Sequence, residues 1–321
     1  MWIEIVAILA GLMLLVVTAD RFVAGAAALA QNLGVSTLVI GLTIVGFGTS
    51  APEILVSGMA AFSGNAGLAI GNAIGSNIAN IGLILGVTAL IVPLTIASKT
   101  LQREYPIVVG VTLLSFLLVI DGELGFYDGL ILLLLLFVVL FYMWRVATRG
   151  ADEILAAEIE AEMPDKMPTS KAVMWLILGL TGLLIASKTL VWGAVGIAEA
   201  LGVSNLIIGL TIVALGTSLP ELAASIASAL KNEPDLAIGN VLGSNLYNLM
   251  AVLSIPGLVA PGPVAAEVLT RDMPVMVALT LALGGLAWSL KGTHRISRVG
   301  GMLLLLAYFA YQGWIITSVV R

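Results

Sequence analysis

The chain contains no cysteine, which excludes disulfides, thiolate metal sites and cysteine nucleophiles. Its one histidine, His294, lies in the polar segment KGTHRISR. A lone loop histidine excludes a histidine-rich metal centre and reads as a solvated residue. Charge is scarce as well: Asp, Glu, Lys and Arg make up 10% of the residues, against about 25% in soluble domains. The net charge of −5 carries little information, because many of the acids cluster in one segment. No nucleic-acid partner and no cofactor is expected. The N-terminus, MWIEIVAILAGLMLLVV, lacks the basic stretch that opens a secretory leader and runs straight into a long apolar span.

What fills the chain is hydrophobic: 60% of the residues are apolar and the mean hydropathy is +1.12. A bilayer span takes roughly 20 residues. The apolar runs give ten spans, at 2–31, 36–62, 66–94, 102–120, 126–146, 172–199, 204–230, 234–259, 272–290 and 298–320. The expected fold is an all-α membrane protein. Between the fifth and sixth spans lies the only sizeable polar stretch, ATRGADEILAAEIEAEMPDKMPTSK. Its acids lack the alternating ligands and turn glycine of a calcium loop, so it reads as a solvated linker.

An internal repeat dominates the rest. LGVSTLVIGLTIVGFGTSAPE (residues 33–53) returns as LGVSNLIIGLTIVALGTSLPE (201–221), and GNAIGSNIAN (71–80) returns as GNVLGSNLYN (239–248). Each pair is 168 residues apart. The expected organisation is a first five-span repeat over 1–146, a cytoplasmic acidic linker over 147–171, and a second five-span repeat over 172–321. Five is odd, so the second unit enters the membrane from the opposite side and the halves become inverted repeats. Lys and Arg are concentrated in the loops that follow odd-numbered spans, with Arg271 and Arg321 on the other side. By the positive-inside rule both termini lie on the non-cytoplasmic side.

Glu53 and Glu221 are repeat partners and the acids that fall well inside spans. An ionisable residue at membrane depth is a functional-site candidate. Thr49, Ser50, Thr217 and Ser218 add hydroxyls beside them; Pro52 and Pro220 are expected to free the carbonyls of Gly48 and Gly216. Ser76 and Asn80, like Ser244 and Asn248, are spaced to share one helix face. Asn72, Asn77, Asn240 and Asn245 lie nearby, and Gly71, Gly75, Gly239 and Gly243 read as helix-packing residues. Two carboxylates with hydroxyl, amide and carbonyl oxygens form a hard-cation set, suited to Ca²⁺ or Na⁺.

These strings resemble the repeats of the sodium/calcium exchanger branch of the calcium/cation antiporters, a likeness that covers the chain apart from the linker. The resemblance implies a bacterial inner-membrane antiporter, not an enzyme, that exchanges Na⁺ for Ca²⁺ by alternating access, electrogenically and as a sufficient monomer. It implies ion binding between spans two, three, seven and eight. Calcium would be held by Glu53, Glu221, Thr49 and Thr217. Sodium would use Gly46, Thr49, Ser50, Glu53, Ser76, Ala214, Thr217, Ser218, Glu221 and Ser244, with Asn80 and Asn248 lining the centre. Potassium-dependent relatives often carry aspartate at the position of Asn248, so potassium independence is expected. The proton-coupled branch generally has Asn-Ala where this chain has Thr-Ser. A Ca²⁺/H⁺ antiporter on the same fold and a cation channel remain the alternatives. An intramembrane hydrolase lacks its Ser–His or Ser–Lys constellation.

Overall fold

The structure, a computed structural model, describes residues 1–33, 50–96, 98–148, 167–230, 234–288 and 294–320. In chain order the helices are α1 (Trp2–Asn32), α2 (Ala51–Phe62), α3 (Ala66–Ile91), α4 (Ser98–Leu118), α5 (Phe126–Thr148), α6 (Thr169–Leu201), α7 (Asn205–Leu230), α8 (234–259), α9 (Val268–Ala287) and α10 (Arg298–Val320). Among the described residues eight of these are long and apolar enough to cross a membrane, and α2 and Glu104–Leu118 of α4 are shorter apolar helices. The expected span 36–62 is described only from Ser50 onward. Helices α4, α6 and α9 begin a few residues before the expected 102, 172 and 272. Polar residues continue a helix beyond the apolar run, because backbone hydrogen bonding does not stop where the hydrocarbon does.

Two helices form the centre. Of their most apolar windows, 78% of α3 and 83% of Ala237–Val259 in α8 are buried, against 28% in each of α1 and α6. Gly75 of α3 allows close approach to α7: a methyl there would stand 2.7 Å from the Ala214 Cβ and 2.8 Å from the Leu210 Cα. The expectation of packing glycines holds for Gly71 and Gly75, whereas no described atom lies within 4 Å of a methyl added at Gly243. Helices α1 and α6 pair along their length, with Gly25 against Ala172 and Leu176, Gly182 against Thr18, and Gly193 against Glu4 and Ile8. The descending partner numbers make the pair antiparallel.

Four features go beyond simple helices. Helices α3 and α8 each contain a π turn, at Asn80–Ile84 and Asn248–Val252. A third lies in α7 at Gly209–Val213, and a fourth opens α9 at Val268–Asp272. Short antiparallel strands tie the loops. β1 (Leu94–Thr95) pairs with β4 (Arg295–Ile296), and β2 (Glu123–Leu124) pairs with β3 (Gly262–Pro263). Period-two patterning cannot reveal strands of two residues, so the all-α expectation missed them.

Arg271 and Asp272, at the start of the ninth span, are not solvated. Both are buried, at 4% and 0% exposure. The Arg271 Nε donates to Asp272 Oδ1 at 2.7 Å and its terminal nitrogen donates to Ser318 Oγ at 3.0 Å. Tyr311 donates its hydroxyl to the same carboxylate at 2.8 Å. The cluster pins the first turn of α9 to α10. Removing one member strands a buried charge, so Asp272→Ala is expected to cost about 3–5 kcal/mol. Thermal unfolding in detergent checks this; a midpoint within about 2 °C of the native one would contradict it.

Candidate functional site

Helix α7 is broken where its copy of the repeat places Thr217, Ser218 and Pro220. The helix closes at Thr217, Ser218 takes φ −88° and ψ 6°, and a new helix starts at Leu219. The first copy matches: Ser50 has φ −93° and ψ 5°, and α2 starts at Ala51. Proline therefore does not interrupt a helix here. It stands in the first turn of a new one, where its missing N–H has no intrahelical acceptor in any case. The Ser218 N–H closes the preceding turn on the Ala214 carbonyl at 3.1 Å, and Pro220 offers no N–H to Gly216. Gly48, Gly46 and Thr49 lie outside the described residues.

The breaks put two helix starts, each carrying its glutamate in the first turn, into the protein interior. Glu53, Glu221, Ser50, Thr217, Ser218, Ser76, Ser244, Asn80, Asn248 and Ala214 are all buried. Helices α2, α3, α7 and α8 supply them, as the sequence implied. Ser218 donates to Glu53 Oε1 at 3.4 Å, which joins the two repeats at the site. Ser244 donates to Glu221 Oε1 at 3.5 Å. Ser218 stands three residues before Glu221, so its contact with Glu53 brings the two acidic segments together. Asn80 donates its amide to Asn245 Oδ1 at 3.0 Å, tying α3 to α8. The Ala214 carbonyl, expected to face sodium, accepts the Ser218 N–H at 3.1 Å, with the Thr217 hydroxyl at 3.4 Å.

Six side-chain oxygens at this place are buried without a hydrogen-bond partner among the described residues. They are Ser50 Oγ, Glu53 Oε2, Ser76 Oγ, Asn80 Oδ1, Glu221 Oε2 and Asn248 Oδ1. Buried polar atoms are ordinarily satisfied, so such a concentration demands an explanation. All six are hard oxygen donors from residues that the sequence singles out. No group of three or more His, Cys, Asp and Glu forms among the described residues, so a carboxylate-rich or imidazole-rich metal centre is not what the site offers.

The sodium/calcium exchanger protein family model matches residues 3–145 and 171–317. The chain belongs to the sodium/calcium exchanger family. A relative described as putative antiporter CaxA, from Alkalimonas amylolytica, is 48% identical over 320 residues, 99% of this chain and 100% of the relative. The inner membrane protein YrbG of Escherichia coli (strain K12) is 39% identical over 284 residues, 88% of this chain and 87% of its own. A solved structure of the sodium-calcium exchanger NCX_Mj soaked with Na⁺ and Sr²⁺ superposes with a TM-score of 0.64 at 35% identity, covering 96% of this chain and 97% of that one. This exchanger-family chain is thus a membrane protein of the same helical architecture.

Sequence reasoning gave Asn72 no role, yet it is a hub. Its amide nitrogen lies 3.2 Å from the Glu53 carbonyl and 3.0 Å from Ser57 Oγ, and its oxygen accepts from Thr217 at 3.1 Å. One side chain therefore joins α2, α3 and α7 at the glutamate. The available signal was the serine pair Ser57 and Ser225, 168 residues apart; Asn240 meets Ser225 at 3.5 Å in the matching way.

Two nearby buried carboxylates destabilise the cation-free fold through desolvation and mutual repulsion. Glu53→Gln is therefore expected to raise the thermal midpoint in chelator by about 2 °C or more, measured without Na⁺ or Ca²⁺. A lowered midpoint would contradict this electrostatic account.

Proposed function

We propose that the protein is a secondary antiporter that exchanges Na⁺ for Ca²⁺ through one shared site built on Glu53 and Glu221. The observation that carries this reading is the set of six unpartnered buried oxygens around two carboxylates. Ca²⁺ takes six to eight oxygens, and the site has no sulfur or imidazole to favour a softer metal. Calcium would be held by Glu53 and Glu221 with Thr49 and Thr217. Sodium would share those carboxylates with Ser50, Ser76, Ser218 and Ser244 and the carbonyls of Gly46 and Ala214. Asn80 and Asn248 would line the centre.

Two glutamates give the cation-free site a charge near −2. Moving that charge through a closed, low-dielectric state costs several kcal/mol per ion. One Ca²⁺ or two or more Na⁺ removes the barrier, and competition for the same carboxylates keeps the species from travelling together. Exchange rather than leak follows. Electrogenic exchange with net charge moved would couple the cycle to voltage at about 2.3 kcal/mol per elementary charge per 100 mV. Asparagine at 248 favours potassium independence by the family pattern.

The architecture we infer is ten spans in two inverted five-span repeats, over 1–146 and 172–321, joined by a cytoplasmic linker over 147–171. Support comes from contacts that exchange places under the 168-residue shift. Gly11 against Leu190 becomes Gly179 against Phe22, and Gly25 against Leu176 becomes Gly193 against Ile8. A two-fold axis relating the halves generates this swap. The cation bias of the loops favours both termini on the non-cytoplasmic side of the membrane.

Liposomes loaded with Na⁺ test the reading. Ca²⁺ uptake is expected to follow the outward Na⁺ gradient and to ignore an imposed pH gradient. Uptake driven by pH and indifferent to Na⁺ would replace it with Ca²⁺/H⁺ antiport. Glu53→Gln and Glu221→Gln are each expected to lower uptake at least about 100-fold, since neither leaves a neutralisable pair. Robust uptake by either variant would remove that residue from the site.

A further inference from the structure

The lipid-facing side of the α1–α6 pair carries charge where the membrane should be most apolar. Along the pair, contacting residues have numbers that add to about 200, as in Gly182 against Thr18 and Gly196 against Glu4. Lys188 on α6 therefore stands level with Leu12 on α1, and Asp20 and Arg21 lie eight and nine residues further along. At 1.5 Å per residue, the charge-free stretch shared by both helices is about 12 Å long. A hydrocarbon core is about 30 Å thick. Any tilt of the pair shortens the stretch further. For contrast, α3 runs 26 residues without an Asp, Glu, Lys or Arg, about 39 Å.

Asp20 is turned outward: it is 75% exposed and continues a stripe through Val17, itself 59% exposed. Lys188 is exposed beside Leu184 and Ile185 and also lines an open cavity that Glu4, Trp192, Glu199 and the Ser63 and Asn65 of the α2–α3 loop share. Asp20 and Lys188 are 168 residues apart, so they fall symmetrically about the level of Val16 and Leu184, about 6 Å to either side. Under the inverted-repeat reading, on which this inference rests, that level is the membrane midplane. Tryptophan flanks both charged positions. Trp175 stacks under Arg21 with its ring centre 4.9 Å from the guanidinium, and Trp192 lies one turn beyond Lys188. Tryptophan beside Lys or Arg is the signature of a headgroup interface, and here the two tryptophans are 17 residues, about 25 Å, apart along the helix. That pattern fits lipid headgroups better than a second protein copy.

We infer that the bilayer is thinned beside the α1–α6 pair, with headgroups and water drawn in to Asp20 and Arg21 from one side and to Lys188 from the other. Short lipids fit this surface, and the charges do the thinning. The depth of a spin label tests it without any transport measurement. The chain has no native cysteine, so Ile185→Cys and Phe309→Cys each accept one nitroxide. Ile185 is 55% exposed on α6, and Phe309 is 60% exposed at the middle of α10. In phosphatidylcholine vesicles, the label at 185 is expected to be at least about fivefold more accessible to a water-soluble nickel chelate, relative to oxygen, than the label at 309. In a background of Asp20→Leu, Arg21→Leu and Lys188→Leu, the two ratios are expected to become equal. Asp20→Glu with Lys188→Arg should keep the native difference. Lengthening the lipid chains from about 14 to about 22 carbons should reduce the native difference. Equal accessibility in the native protein would overturn the inference. So would a difference that survives loss of the charges, or one that ignores lipid length, which marks a protein-lined water groove. Failure of Na⁺-driven Ca²⁺ uptake would bear on the proposed exchange and leave these label depths unchanged.

Discussion

Two buried carboxylates, one in each half of a duplicated sequence, are the constraint on which the rest depends. Among the described residues the ion pairs are Met1–Glu4, Asp20–Arg21 and Arg271–Asp272, and none involves Glu53 or Glu221. A buried charge without a protein counter-charge is tolerated only if something else neutralises it. Hydroxyls and amides alone cannot, since they supply dipoles rather than charge. Under the proposed function their partnerless oxygens would complete a coordination sphere for a mobile cation, and fold stability would be coupled to cargo.

The surrounding packing serves that arrangement. Glycines on α3 let the backbone of α7 approach, which brings the Ser218 hydroxyl of one repeat to the Glu53 carboxylate of the other. Asn72 holds the same corner through three elements. Among the described residues Ser244 reaches Glu221 while its repeat counterpart Ser76 has no hydrogen-bond partner, and Ser218 reaches Glu53 while Ser50 has none. The peripheral α1–α6 pair is packed differently, helix on helix along small residues, with its outer face left to lipid.

Much of this was legible in the sequence because the decisive signals are local and duplicated. The repeat, the spacing of 168 and the paired Thr-Ser-x-Pro-Glu strings identify four helices and the buried polar residues they bring together. Other features escaped for physical reasons. A π turn is set by one extra residue in a helical ladder, and the apolar pattern of Asn80–Ile84 carries no mark of it. Pro52 and Pro220 looked like interior helix breakers, because a sequence does not say where one helix stops and the next begins. The break in α7 falls at Ser218, and Ser50 likewise precedes the start of α2. The burial of Arg271 and Asp272 escaped because composition cannot distinguish a solvated span end from one tied to Tyr311 and Ser318. Asn72 depended on a contact with a residue 145 positions away, beyond any local pattern.

The central claim is that one site, neutralised by either species, serves both ions. Equilibrium binding of Ca²⁺ to the purified protein at a series of Na⁺ concentrations tests it most directly. The account predicts one exchangeable Ca²⁺ per chain, with an apparent Kd that rises more steeply than the first power of Na⁺ concentration, because more than one Na⁺ must replace each Ca²⁺. A Ca²⁺ isotherm unmoved by Na⁺ would mean that the two ions do not share Glu53 and Glu221, and would contradict the account.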